Sequence, residues 1–125
     1  MRGCADGVAD AVLTAATNVY RQLGPGLLES VYELALMMEL GRAKIQAKRQ
    51  VDVPVHYQGQ ELGIGYRADI IVEDSLLLEI KAVDELKPIH LAQIMTYLKL
   101  LGLKRGYLLN FNVRLMKEGI KRVSI

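Results

Sequence analysis

The chain has 125 residues, 51% of them hydrophobic and 24% charged, with a formal net charge of +2. That length suits one ordinary domain, residues 1–125, with one site and a real core, and the composition excludes a disordered chain. The single cysteine, Cys4, and the two histidines, His56 and His90, exclude an internal disulfide and leave too few soft ligands for zinc, so any metal would be held by oxygen. No charged-plus-apolar leader or apolar run of about 18 residues is visible, and the expectation is a soluble cytoplasmic protein without membrane contact.

In chain order, Val8, Ala11, Val12, Ala15 and Val19 recur at helical spacing between Ala5 and Leu23. Gly24-Pro25-Gly26 then breaks the helix. A second helix is predicted over Leu27 to Leu40, apolar nearly all round and therefore buried, with Gly41 as its stop. Val51, Val53, Val55 and Tyr57 alternate with Asp52, Pro54 and His56, a half-buried strand placed at an edge by its proline. The turn Gln58-Gly59-Gln60 leads to a strand from Gly65 to Val72, and Glu73-Asp74 turns into another from Leu76 to Ala82. Leu76-Leu77-Leu78 with Ile80 marks that strand as central, covered on both faces. Pro88 opens a helix over Ile89 to Leu101 with a core stripe of Leu91, Ile94, Met95 and Leu98. A buried strand over Gly106 to Phe111 follows, and the tail Ile120 to Ile125 adds one more. This order predicts a layered α/β sandwich.

Glu79 and Lys81 stand two apart on the Leu76–Ala82 strand, so both side chains leave one face. A tight hairpin through Glu73-Asp74 would set Asp69 opposite or diagonal to Glu79. Converging carboxylates among Ile, Val and Leu repel one another unless a cation joins them. Mg²⁺ takes one or two protein carboxylates and completes its shell with water and phosphate oxygens, and Lys81 would orient water or balance the charge of a phosphoryl transition state. His90, Gln93 and Tyr97 fall on one helical face, distinct from the core stripe, and Glu29 lies one turn into its helix. Both groups either face solvent or reach the same cleft.

Gly26-Leu27-Leu28-Glu29-Ser30-Val31-Tyr32 resembles the signature of the GxxExxY family, which is assigned to the PD-(D/E)XK nuclease superfamily. The likeness extends through Leu23 to Gly26, Gln50, Tyr57-Gln58-Gly59, Gly65 to Asp69, Glu79 to Val83, Pro88-Ile89-His90, Gln93 to Leu98 and Asn110 to Val113. It implies a restriction-endonuclease-like αβββαβ core, a central mixed sheet flanked by helices, with Glu29 on the helix, Asp69 on the second strand, and Glu79 and Lys81 on the third. Gln93 and Tyr97 look like the additional motif of the RecB-like branch. Tyr20 departs from the pattern, standing where most relatives would carry His, and Asn18 stands where they would carry an acid.

The function implied is a nuclease dependent on Mg²⁺ or Mn²⁺ that hydrolyses DNA. Asp69, Glu79 and the Ile80 carbonyl would be ligands, Glu29 would order water or join them, and Lys81 would be the catalytic base or charge stabiliser. Gln93, Tyr97, Arg67 and His90 would position substrate. Lys44, Lys48, Arg49, Lys87, Lys104 and Arg105 are further basic candidates for phosphate contact. So small a chain offers little surface to grip DNA, which points to a homodimer or a partner protein. The alternative is a noncatalytic nucleic-acid-binding or assembly module that keeps a relic site. A hydrolase of small phosphorylated compounds is disfavoured by the lack of a glycine-rich phosphate cradle.

Overall fold

The computed structural model describes residues 4–63 and 65–125. Helices α1 (Cys4–Leu23) and α2 (Glu29–Arg42) precede strand β1 (Ala47–Val53), and a small hairpin of β2 (His56–Tyr57) and β3 (Gln60–Glu61) leads to β4 (Tyr66–Val72) and β5 (Leu76–Lys81). Helix α3 (Pro88–Leu101) then carries the chain to β6 (Arg105–Asn110), a 3-10 turn (Met116–Gly119) and β7 (Ile120–Ser124). The main sheet runs β1-β4-β5-β6-β7; β5 and β6 pair in parallel across α3 and the other neighbours are antiparallel. This is the restriction-endonuclease-like arrangement, with β5 at the centre.

Two cores sandwich the sheet. Val12, Ala16 and Val19 of α1 and Tyr32, Leu36 and Leu40 of α2 pack with Ile70, Leu76, Leu78, Ile80 and Leu109 on one face. Ile94 and Leu98 of α3 pack with Ile71, Leu77, Leu108 and Val123 on the other. The alternation of β5 feeds both, which is why Leu76 to Ile80 reads as an unbroken apolar run interrupted by one buried acid. Helix α3 lies close on β6, where a Cβ added to Gly106 would stand 3.2 Å from the Ile94 Cδ1 of α3.

Two expectations change. Helix α2 is buried along one stripe, while Leu34 and Met38 are 49% and 60% exposed. It packs on α1 and the sheet, and among the described residues no further layer covers its outer side. The edge strand is displaced towards the N-terminus, spanning Ala47–Val53 and ending before Pro54. Proline has no N–H to extend a ladder. Beyond it the chain turns into the β2–β3 hairpin, closed by the Leu62 N–H donating to the Val55 carbonyl at 2.9 Å.

Candidate active site

Pairing in the sheet is interrupted at one level. Strands β4 and β5 pair from Val72↔Leu76 to Ile70↔Leu78, a register that would next bring Asp69 opposite Glu79, but that rung is absent from the ladder. The side chains replace it. The Asp69 N–H donates to Glu79 Oε2 at 2.9 Å, and the Ile80 N–H donates to Asp69 Oδ2 at 2.7 Å. Each carboxylate thus satisfies a backbone donor that the ladder leaves unpaired, and the two acids are drawn to one point. On the other side of β5 the ladder with β6 continues, pairing Glu79 with Leu108 and Lys81 with Asn110.

The opposite flank of β4 is interrupted at the same level. Arg49↔Ile70 and Val51↔Ala68 pair, whereas Gln50 has a left-handed backbone, φ 54°, and no partner in the ladder. Neighbouring residues of an extended strand point to opposite faces. The turn at Gln50 instead lets both Arg49 and Gln50 reach one group, Glu33 of α2. Arg49 Nε and its Nη2 meet Glu33 Oε2 at 2.9 and 2.8 Å, and Gln50 Nε2 donates to both Glu33 oxygens at 3.0 and 3.1 Å. Glu33 is 5% exposed, and its charge acts on both Asp69 and Glu79. The sequence reading missed it. A buried acid on the core stripe of α2 was the available signal, since such a residue requires partners.

Glu79 is 4% exposed. Burial and then the Asp69 charge push its carboxyl up to about 8, against the opposing pull of the Asp69 N–H and the Lys81 ammonium. Asp69 is raised too, chiefly by burial, although the Ile80 N–H and Lys81 pull it down. Among the described residues, no hydrogen bond or ion pair ties Lys81 to either acid, so its ammonium acts on them at a distance.

Helix α2 brings Glu29 to the end of β5, where its Oε2 accepts from the Ala82 N–H at 3.2 Å. Tyr32 sets the helix there. Its hydroxyl donates to the Gly24 carbonyl at 2.6 Å and accepts from the Leu27 N–H at 3.1 Å, and its ring stacks on Phe111 with centroids 4.5 Å apart. The loop it fastens needs glycine at Gly24 and Gly26, with φ of 67° and 99°. Beyond β5, Asn110 fixes the next residues: its Oδ1 accepts from the Val83 N–H and its Nδ2 donates to the Val83 carbonyl.

Helix α3 approaches from the other face. Gln93 Nε2 donates to the Tyr97 hydroxyl at 3.3 Å, and burial first and the charge of Glu79 second push the Tyr97 hydroxyl up. His90 is turned to a different use, its Nδ1 accepting from the Lys87 N–H at 2.9 Å as part of the helix cap. Arg67 faces outward, 3.6 Å from Asp52. Tyr20 gives its hydroxyl to the carbonyls of Val113 and Arg114, tying α1 to the segment after β6.

A model of the PD-(D/E)XK nuclease superfamily matches residues 6–123. The chain belongs to that superfamily. Among solved structures, the crystal structure of SSO0001 is similar over 94% of this chain at 23% identity and a TM-score of 0.54, a likeness of fold. This chain spans 64% of the length of that one. Among curated proteins none matches. PD-(D/E)XK nucleases generally use divalent metals, and the acids fit such an ion. Among the described residues no three acids, histidines or cysteines close into a complete cage. Two carboxylates converge instead, the number Mg²⁺ draws from protein when water and phosphate supply the rest, and a bound cation would offset the burial and the Asp69 charge that raise the Glu79 carboxyl.

Proposed function

We propose that this chain is a nuclease of the GxxExxY type, in the RecB-like branch, that hydrolyses phosphodiester bonds of DNA with Mg²⁺ or Mn²⁺. The observation that carries this reading is the pair of hydrogen bonds where the sheet opens, Asp69 N–H to the Glu79 carboxylate and Ile80 N–H to the Asp69 carboxylate. Asp69, Glu79 and the Ile80 carbonyl would hold the ion, with Glu29 at the margin. When bound, it polarises the scissile phosphodiester and acidifies a water. Lys81 as the ammonium balances the charge gathering on phosphorus, or, in its neutral amine form, takes a proton from the attacking water. As the water oxygen bonds phosphorus, the bond to the leaving oxygen breaks and that oxygen is protonated from solvent. Glu29 accepts a hydrogen bond from the water, while Gln93 and Tyr97 hold the strand from the α3 side, with Arg67 and His90 as outer contacts. A homodimer or partner protein would complete the grip on duplex.

A noncatalytic nucleic-acid-binding module has one observation in its favour: each acid already carries a backbone hydrogen bond, which a relic would retain for structure alone. Cleavage of linear, circular, single-stranded and branched DNA with Mg²⁺ or Mn²⁺ separates the two. Wild type should cut at least one of these, and Asp69→Ala and Lys81→Ala should each cut roughly 10²-fold slower or worse. Cutting that survives both substitutions removes the site assignment. Binding without cutting, equal in all three proteins, establishes the relic.

A further inference from the structure

Beside the acids, on the α3 side, lies a groove of about 430 Å³. Its walls are largely apolar: Tyr66 at the start of β4, and Ile89, Ala92 and Leu100 of α3, with Gln93 and Thr96 as the polar groups. Tyr66 is 44% and Ile89 69% exposed, so this apolar surface is open to solvent. The groove and the acids share a strand, Tyr66 lying three residues before Asp69 on β4. Tyr97, hydrogen-bonded to Gln93, also lines the groove, and the Tyr66 ring stands 6.1 Å from the Tyr97 ring at 53°.

We propose that this groove receives an unpaired nucleobase adjoining the scissile phosphate, stacked on Tyr66, and that the enzyme therefore acts on single-stranded or frayed segments. The proposal rests on the nuclease reading above. A phosphodiester held at Asp69 and Glu79 carries a nucleoside on each side, and the apolar wall begins at Tyr66, three residues along β4 from Asp69. A base offers a flat apolar face for Tyr66 and a hydrogen-bonding edge for Gln93 and Thr96, which matches this mixture of groups. A base inside a duplex has both faces covered by its neighbours and cannot enter without leaving the stack. Arg67, next in the chain to Tyr66 and largely exposed, supplies positive charge for the backbone at the rim.

The test uses a single-stranded oligonucleotide with one 2-aminopurine, whose fluorescence falls when it stacks on an aromatic ring, and a blunt duplex carrying the same analogue. Wild type and Asp69→Asn should lower the single-strand signal further and leave the duplex signal, already low from base stacking, unchanged. Tyr66→Ala should weaken single-strand binding roughly five- to hundredfold, the range of one base–aromatic stack, and Tyr66→Trp should restore it. Ile89→Ser, on the exposed opposite wall, is a second variant that should weaken it in the same direction. Equal quenching of duplex and single strand, or wild-type binding by Tyr66→Ala, overturns the proposal and leaves the groove to a protein partner. Quenching by a protein that cuts none of the DNAs removes the nuclease reading and keeps the base site. Cutting that is indifferent to Tyr66 and to strandedness does the reverse.

Discussion

Glu79 sets the behaviour of the site as a proton-binding group. Its carboxyl lies at about 8 in the fold, against 4.5 as the ordinary value. The native chain therefore keeps a proton that the unfolded chain has lost across that interval. Stability from this source is complete below about pH 4.5 and declines as pH rises towards 8. Glu79→Gln keeps an acceptor for the Asp69 N–H and cannot ionise. In EDTA, its melting temperature should exceed wild type at pH 8 by several degrees and match it near pH 4.5; parallel pH profiles of the two proteins would refute the assignment. Glu33 acts differently, anchored by Arg49 and Gln50. Glu33→Ala leaves the left-handed turn at Gln50 without its anchor and should destabilise by about 1–3 kcal/mol, measured by urea unfolding. Asp69, Glu79 and Lys81 could be singled out from sequence because strand periodicity and one hairpin suffice to place them. Glu33 was signalled only as an acid on the core stripe of α2, and its partners were not, because they depend on a backbone turn at Gln50 that no residue preference announces.

At the scale of elements, the sequence fails where a local pattern meets a competing constraint. The alternation from Val51 to Tyr57 is a strand pattern, yet Pro54 ends β1 and the second half of the pattern enters a hairpin. Helix α2 has the composition of a buried helix, but burial depends on how many layers surround it. Helix α3 was readable almost to the residue because proline and glycine mark its ends, Gly102 closing it in the left-handed conformation. Its first turn depends on His90. Replacing His90 by Ala should lower stability by about 1 kcal/mol in thermal melts, and His90→Gln, which can make the same reciprocal bond, should recover most of it. The turn into β7 is tighter. A Cβ on Gly119 would lie 1.9 Å from the Asn110 carbonyl oxygen, so Gly119→Ala must move the strand whose Asn110 side chain holds Val83 beyond Lys81. It should cost about 1–3 kcal/mol and slow cleavage as well, a pairing of effects that unfolding curves and rates together reveal.

Across the whole molecule, the sheet is continuous from β5 to β7 and divides at β4, and the division is what creates the site. Helix α2 on one face supplies Glu29 and Glu33, α3 on the other supplies Gln93 and Tyr97, and the opened strands present Asp69 and Glu79 between them. The layering was visible in the order of elements; the opening was not, because it arises from side chains substituting for rungs of the ladder. Among the described residues no helix is long and apolar enough to cross a membrane. In the proposed mechanism this opening holds a divalent ion. Calorimetric titration with Mn²⁺ at pH 7, in two buffers of different ionisation enthalpy, tests it most directly. Wild type should bind and release close to one proton, displaced from Glu79, while Asp69→Asn should bind at least about tenfold more weakly. Absence of binding by wild type, or equal binding by both proteins, would contradict it.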